Sequence, residues 1–249
     1  MAHGLGKRAY ISALGFARFN TSMLDNRTYT RQWIASGVNA TATRFPWADG
    51  LNLDLEHFPD VKGSKQRAWQ ADLARMLCEL RAALQAAGLR LHSMDLGPHQ
   101  PPWGVFNISA LAACVDYLLP MAYCSPASNT VAGPTLPLAK FKAVMQEWSF
   151  IPPSKIIVGL PAFGGVLLCT NERPATLPRN ASFPCLLEQP VGGGDPAFPL
   201  TPFYEIMELW RTEDVTTGGE ILYDSDKAAA WFEFRNRTSG KRYQVRVTG

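Results

Sequence analysis

The chain lacks several features that would decide its class at once. Among its 249 residues, no apolar run reaches the length of about 20 residues that a transmembrane helix needs, so we expect no membrane partner. The formal net charge is only +3, which is too weak to indicate a nucleic-acid partner. The four histidines are scattered and no cysteine pair has zinc-ligand spacing, so nothing indicates a metal site. The composition, 47% hydrophobic and 18% charged residues, is typical of a globular protein, and the chain is long enough to bury one large core.

A secretory signal is also missing, because the first ten residues, MAHGLGKRAY, contain no apolar stretch. The glycosylation motif Asn-x-Ser/Thr nevertheless begins at six of the nine asparagines, which is far more than chance would place there. These six are Asn20, Asn26, Asn39, Asn107, Asn180 and Asn236. We therefore expect a glycoprotein of the secretory pathway, lysosomal or extracellular, whose signal peptide is absent from this sequence.

The five cysteines leave at least one thiol unpaired. Cys169 and Cys185 flank a stretch rich in Pro, Asn and Arg, where a disulfide would close a loop that has no core of its own. Cys78 falls within a helical pattern, and we expect it to be a buried apolar residue.

Predicted strands and helices alternate over the first two thirds of the chain. The strands are predicted at 8–17, 50–58, 89–97, 116–124 and 155–165, and the helices at 26–43, 64–88, 107–115 and 138–148. Asp25 is a candidate N-cap for the first helix. This alternation predicts a parallel sheet covered by helices, whereas the chain from residue 164 is rich in Pro and Gly and ends in a hairpin pattern.

One segment, ADGLNLDLEHFPD at residues 48–60, places Asn52, Asp54 and Glu56 in alternation with three leucines, which is the period of a strand. One interpretation is a surface hairpin, in which Asp49 and Gly50 form the turn and the polar row faces water. The other is a barrel strand, whose polar row points inward and ends at the carboxyl edge. The long helix that follows favours the barrel strand, because a hairpin needs an antiparallel strand there.

A polar row inside a barrel is suited to catalysis. Two carboxyls two residues apart on one face have Cβ atoms about 6–7 Å apart. Their charges repel in a partly dry barrel mouth, so one of them should hold a proton at neutral pH. A protonated Glu56 at the rim would then serve as a general acid.

The same residues carry a family resemblance. DGLNLDLE, residues 49–56, resembles the DGxDxDxE motif on strand four of glycoside hydrolase family 18, the chitinase family. The amide at Asn52 is similar to the di-N-acetylchitobiase branch, and LDNRTYTRQWIASGVN resembles the helix that precedes strand four in that branch. VDYLLPMAY and KIIVGLPAFGG resemble the family's strands six and seven, so the resemblance extends over about residues 7–249.

The resemblance implies an α/β fold, a (β/α)8 TIM-type barrel with a small insertion after strand seven. Residues 1–163 would supply about strands three to seven, and residues 164–249 the insertion. Strands one, two and eight have no counterpart, and strand eight carries the tryptophan on which the sugar stacks. We therefore expect an incomplete barrel, which would come from a fragment or a gene-prediction error.

The resemblance also implies a function, the hydrolysis of β-1,4-linked N-acetylglucosamine units in chitooligosaccharides or the chitobiose core of N-glycans, with retention of configuration. The substrate's own acetamido oxygen is the nucleophile, so no metal or cofactor is required. Glu56 would protonate the leaving oxygen, while Asp54 would hold the acetamido N–H. Asn52 would orient Asp54, and Tyr123 would donate to the acetamido oxygen. Further sugar contacts are expected from Asp49, Met121, Asp95 and Phe163, although Asp95 could instead cap the next turn.

One departure from the family weakens the enzymatic hypothesis. Cys124 stands where the family pattern M-x-Y-D has its aspartate, which helps to position the sugar. A non-catalytic relative that only binds chitin oligosaccharides is therefore a second hypothesis. Both hypotheses predict an N-acetylglucosamine oligosaccharide as the partner and a monomeric protein.

Overall fold

The computed structural model describes residues 3–13, 22–54, 63–97, 106–123, 131–181, 183–188 and 200–248. The chain forms two compact units. The first comprises Met1–Met121 and Val144–Gly159, and the second comprises Ala122–Ala143 and Leu160–Gly249. The predicted domain boundary between residues 163 and 164 stays a prediction.

A four-stranded parallel sheet with covering helices forms the first unit. In chain order its elements are β1 (Tyr10–Ala13), α1 (Ser22–Asp25), α2 (Arg27–Arg44), β2 (Gly50–Asp54), α3 (Ser64–Ala86), β3 (Arg90–Leu96), α4 (Ile108–Cys114) and β4 (Tyr117–Pro120). The strands lie in the order β1-β2-β3-β4, and each neighbouring pair is parallel. The predicted parallel alternation is confirmed here, and the hairpin interpretation of Asp49 and Gly50 is wrong, because β2 lies between two parallel neighbours.

Helix α3 supplies much of the core of this unit. Four leucines recur at helical spacing and are at most 1% exposed, namely Leu73, Leu77, Leu80 and Leu84. The helix packs against β3, α2 and α4 and ends at Ala86; Gly88, two residues further on, has a φ of +74°, which suits glycine and stops the helix. Burial of this apolar row, rather than helix propensity, is what stabilises such a helix.

The N-cap of α2 is Asn26, not the candidate Asp25. The Asn26 Oδ1 atom accepts from the backbone N–H of Tyr29 at 3.1 Å. Asp25 is instead the last residue of α1, so its backbone is already helical, whereas an N-cap needs an extended backbone.

An antiparallel sheet dominates the second unit. Helix α5 (Leu138–Glu147) is divided between the two units at Val144. The later elements belong to the second unit, and they are β5 (Phe163–Leu168), β6 (Leu200–Pro202), α6 (Phe203–Thr212), β7 (Asp214–Val215), β8 (Leu222–Asp224), β9 (Ala229–Arg235) and β10 (Arg242–Thr248). The strand order is β6-β5-β10-β9-β7, with β8 also paired to β9. The predicted hairpin near the end of the sequence is confirmed as β9 and β10, and helix α6 lies against β5 and β6.

The predicted strand at 155–165 is wrong as a single parallel strand. Only Ile156 makes a parallel bridge, to Leu118, whereas Phe163 begins an antiparallel strand of the second unit. Pro161 has no N–H to donate to a ladder, which separates the two parts. Gly164 then allows close approach of β10, since a Cβ there would lie 2.5 Å from the carbonyl oxygen of Arg246.

One face of this antiparallel sheet buries charge. Glu233 is fully buried and accepts hydrogen bonds from Arg242 at 2.6 Å and from Gln244 at 2.8 Å. Arg173 also pairs with Glu233, and the Arg242 guanidinium lies 5.1 Å from the centre of the Phe183 ring. Removing Glu233 would leave buried cations uncompensated, so these residues stabilise the sheet only as a set.

The helices within the described ranges include none that combines the length and apolar character required to cross a membrane.

Candidate active site

Strand β2 carries the candidate active site. Leu51 and Leu53 are 7% and 1% exposed and belong to the core, while Asn52 and Asp54 are half-buried on the opposite face. The predicted separation of leucines from polar residues is therefore confirmed as far as Asp54. The predicted general acid, Glu56, lies outside the described residues.

Asn52 is held by side chains from both neighbouring strands. Its amide nitrogen donates to Asp95 Oδ2 at 2.9 Å and to Ser12 Oγ at 3.3 Å. Its carbonyl oxygen accepts from the Ser93 hydroxyl at 2.5 Å. Contacts to both ends of the amide fix its orientation. The predicted bond from Asn52 to Asp54 stays a prediction.

Asp54 and Asp95 end the polar face together. They are register partners on the parallel strands β2 and β3, and both are half-buried. The bond from Asn52 shows that Asp95 faces the same side as the polar row, so its predicted position facing the site is supported over a cap of the next turn. The carboxyl end of the sheet therefore presents two carboxyls beside an oriented amide.

An aromatic layer lies on the same face towards the amino end. The His92 ring stacks on Tyr10 with centroids 3.8 Å apart, and it lies 5.1 Å from the Tyr117 ring. His92 Nδ1 is 3.1 Å from Ser93 Oγ; since that hydroxyl donates to Asn52, His92 must carry its proton on Nδ1 in this arrangement. Burial lowers the pKa of His92 below its ordinary value.

The sequence interpretation missed Ser12, Ser93 and His92. A signal for Ser93 was present, because Ser93 and Asp95 are two residues apart in a predicted strand and so share a face. His92 reaches that face because the ladder between β2 and β3 shifts register between Leu51 and Asn52, which no sequence pattern indicated.

Asp49 lies at the other end of β2. Its carboxylate accepts from the Ala9 N–H at 2.6 Å and bonds His3 at 2.9 Å. The Ala9 N–H, and then His3, lower the pKa of Asp49 below its usual value. The five residues of β2 separate Asp49 from Asp54 by about 16 Å, at about 3.3 Å per residue, which argues against the predicted sugar contact.

The other predicted site residues belong to different units of the chain. Met121 follows β4 in the first unit, where its N–H donates to the carbonyl of Leu96 at 2.9 Å. Tyr123 and Phe163 belong to the second unit and meet edge to face, with ring centroids 5.8 Å apart. The structure thus brings Tyr123 and Phe163 together, as it does Asn52, Asp54 and Asp95. Cys124 lies outside the described residues.

The structure contains two disulfides within the described ranges. Cys169 bonds Cys185, which is the predicted pair, and Cys78 bonds Cys114. The expectation that Cys78 is a buried apolar residue is wrong, because position 78 lies one residue beyond the buried row and is exposed. The bridge ties α3 to α4.

The site can perform proton transfer and amide recognition. Carboxyls of Asp54 and Asp95 can accept or donate protons, and the oriented amide of Asn52 can position one of them. Within the described part of the chain, no group of three or more His, Cys, Asp or Glu side chains is arranged to hold a metal ion.

Comparison with known proteins gives a fold. No family model matches the sequence, and no curated protein matches it significantly. A GH18 chitinase from Cycas revoluta in complex with (GlcNAc)3 matches with a TM-score of 0.68 and 20% identity, over 98% of this chain and 70% of that one. A chitinase from Chromobacterium violaceum matches with a TM-score of 0.63 and 18% identity, over 99% and 69% of the two chains.

The spore cortex-lytic enzyme of Bacillus megaterium also matches, with a TM-score of 0.66 and 17% identity, over 99% of this chain and 52% of that one. At such identities, the likeness shows the fold, which is α/β of the TIM type. The expectation that the barrel is incomplete stays a prediction.

Proposed function

We propose that this protein is a retaining glycoside hydrolase that cleaves between β-1,4-linked N-acetylglucosamine units by substrate-assisted catalysis. The observation that carries the proposal is the position of Asn52 and Asp54, half-buried at the carboxyl end of a parallel strand in a TIM-type fold. Barrel enzymes place their chemistry at that end. A solved structure of the same fold is a GH18 chitinase in complex with (GlcNAc)3, which supports an oligosaccharide as substrate.

In the proposed mechanism, the substrate's acetamido oxygen attacks the anomeric carbon while Glu56 protonates the leaving oxygen. Asp54, ionised, accepts the acetamido N–H and balances the positive charge of the cyclic intermediate. Tyr123 donates to the acetamido oxygen. Glu56 then removes a proton from the water that opens the intermediate, which regenerates the acid.

The finer proposal is that the substrate is a short chitooligosaccharide or the chitobiose core of an N-glycan, in a lysosomal or extracellular compartment. The amide at position 52, which resembles the di-N-acetylchitobiase branch, supports this substrate. The two disulfides and six glycosylation motifs support the compartment, because disulfides persist where the environment is oxidising.

Glu56→Gln tests the proposal. Glutamine keeps the shape of the side chain but cannot transfer a proton, so release of N-acetylglucosamine from (GlcNAc)3 should fall by about two to four orders of magnitude. Glu79→Gln is the matched control, since Glu79 lies on α3 and pairs only weakly with Arg75 at 3.5 Å. Full activity in Glu56→Gln would contradict the assignment of the acid.

A non-catalytic sugar-binding protein is the second candidate, and Cys124 in place of the family aspartate favours it. This alternative predicts that (GlcNAc)3 binds, with heat measurable by calorimetry, but remains uncleaved after prolonged incubation. Cleavage by the unmodified chain that is lost in Glu56→Gln would exclude it.

A further inference from the structure

Four arginines line a cleft in the second unit. The cleft has a volume of about 230 Å3, and the residues that line it in the described part of the chain include no acid. Arg235 and Arg242 come from the sheet, where they are register partners on β9 and β10 and therefore share a face. Arg173 and Arg179 come from the segment that covers this face. The arginines thus approach the cleft from two opposite walls.

The two buried arginines, Arg173 and Arg242, build the cleft. Arg242 pairs with Glu233 and donates to the carbonyl of Asn171 at 3.0 Å, which holds the covering segment to the sheet. Arg173 pairs with the same Glu233 at 3.3 Å and donates to the carbonyl of Ala181 at 2.7 Å. One buried carboxylate is therefore shared by two guanidinium groups, and this set carries an excess of positive charge beside the cleft.

The two outer arginines, Arg179 and Arg235, have donors to spare. Arg179 is exposed, and its guanidinium makes no hydrogen bond or ion pair among the described residues. Arg235 donates to Glu172 and to the carbonyl of Gly240, which leaves part of its five-donor fork unused. Glu172 and Asp214, the acids that attract Arg235, are both exposed, so water screens their charges from the cleft.

We propose that this cleft binds a tetrahedral oxyanion, the phosphate or sulfate group of a small molecule. Guanidinium groups form short, paired hydrogen bonds to such oxygens. Donors on two walls suit an acceptor whose oxygens point in several directions, whereas a carboxylate presents its oxygens in one plane. Pro174, Ala175 and Leu177 line the cleft beside the arginines and offer apolar contact to the organic group of an ester. The proposal is independent of the proposed hydrolase.

Calorimetry on the full chain tests the ligand class with four probes. Glucose 6-phosphate should bind saturably, whereas glucose, which lacks the anion, should give no binding to the cleft. Acetate, a planar anion, should bind more weakly than inorganic phosphate. Tighter binding of glucose 6-phosphate than of inorganic phosphate would identify an ester as the source of the oxyanion, and equal affinities would identify the free ion.

Arg179→Ala tests the location. Loss of the charged donors should weaken the binding of glucose 6-phosphate about tenfold or more. Arg211→Ala is the matched control, because it removes the same charge from an exposed position on α6. That helix packs on the other face of the sheet, since its Ile206 clusters with Phe232, which alternates with Glu233 along β9. The affinity of Arg211→Ala should match that of the unmodified chain.

Three results would overturn the proposal: no saturable binding of either phosphate compound by the unmodified chain, undiminished binding in Arg179→Ala, or acetate binding as tight as that of inorganic phosphate. Because the Arg179 guanidinium holds no other described residue, its removal should leave the urea midpoint unchanged, and this measurement checks that the variant is folded. None of these readouts requires hydrolysis, so an inactive chain would contradict the proposed function without bearing on the anion cleft.

Discussion

Replacement of Gly50 by alanine tests whether the site depends on the close approach of β2 and β3. Gly50 has a φ of +155°, which favours glycine, and a Cβ there would lie 2.0 Å from the carbonyl oxygen and 2.7 Å from the nitrogen of Arg90. Cβ atoms essentially never approach another heavy atom within 3.0 Å, so the two strands would have to separate by about 1 Å. Both obstructing atoms are backbone, so no rotamer change can relieve the contact.

The expected loss of unfolding free energy is about 2–5 kcal/mol. An alanine forced to keep this backbone conformation costs about 1–3 kcal/mol. Separation of the strands weakens the neighbouring backbone bonds, including the one from Arg90 N–H to the Asp49 carbonyl at 3.0 Å, at about 1 kcal/mol each. The same separation would stretch the Ser93 bond to Asn52 that orients the candidate active site.

Urea unfolding followed by tryptophan fluorescence measures the effect, with Gly37→Ala as the control. Gly37 lies within α2, and a Cβ there meets no atom within 4 Å, so this variant should be neutral or more stable by up to about 1 kcal/mol. Gly50→Ala with a stability within about 0.5 kcal/mol of the unmodified chain would refute the reasoning.

Three further predictions concern pH, a disulfide and glycans. Burial lowers the pKa of His92 in the folded state, so as the pH falls the unfolded state binds a proton at this histidine before the folded state does. The free energy of unfolding should therefore decrease as the pH drops below about 6.5. His92→Phe should flatten this part of the plot of urea midpoint against pH, and an unchanged plot would contradict the prediction. Cys78→Ser should destabilise the first unit by about 2–4 kcal/mol, since the bridge closes a separation of 36 residues; an unchanged thermal midpoint would count against it. In secreted material, peptide mass spectrometry of the acceptors within the described residues should find glycans on the four exposed asparagines and not on Asn236, whose half-buried amide nitrogen donates to Glu213 at 3.2 Å. The reverse pattern would exclude this reasoning. The exposed acceptors are Asn26, Asn39, Asn107 and Asn180.

The local features of the first unit could be predicted because each has a periodicity. The leucines of α3 recur every three or four residues, and those of β2 every two, so both buried faces followed from spacing alone. Alternation of strands with helices then predicted parallel pairing, because a parallel strand needs a long crossover. The polar row through Asn52 and Asp54 followed from the same period.

The predictions that were wrong concern segments whose structure depends on a partner distant in the sequence. Cys78 has a helical context that suits a buried residue, and only the packing of α4 brings Cys114 within bonding distance. Residues 155–165 have the pattern of one apolar strand, yet Ile156 and Phe163 pair with strands of different sheets. No local pattern indicates which neighbour a strand will find.

The sequence by itself determined which faces are apolar, because burial of a face needs a repeat that matches the period of the helix or strand. It also determined that Asn52 and Asp54 share one face. Only the tertiary structure decided what meets that face: Ser12 from β1, and Ser93 and Asp95 from β3. The physical reason is register, since the position of one strand along its neighbour depends on the packing of the whole sheet and its helices rather than on either segment alone.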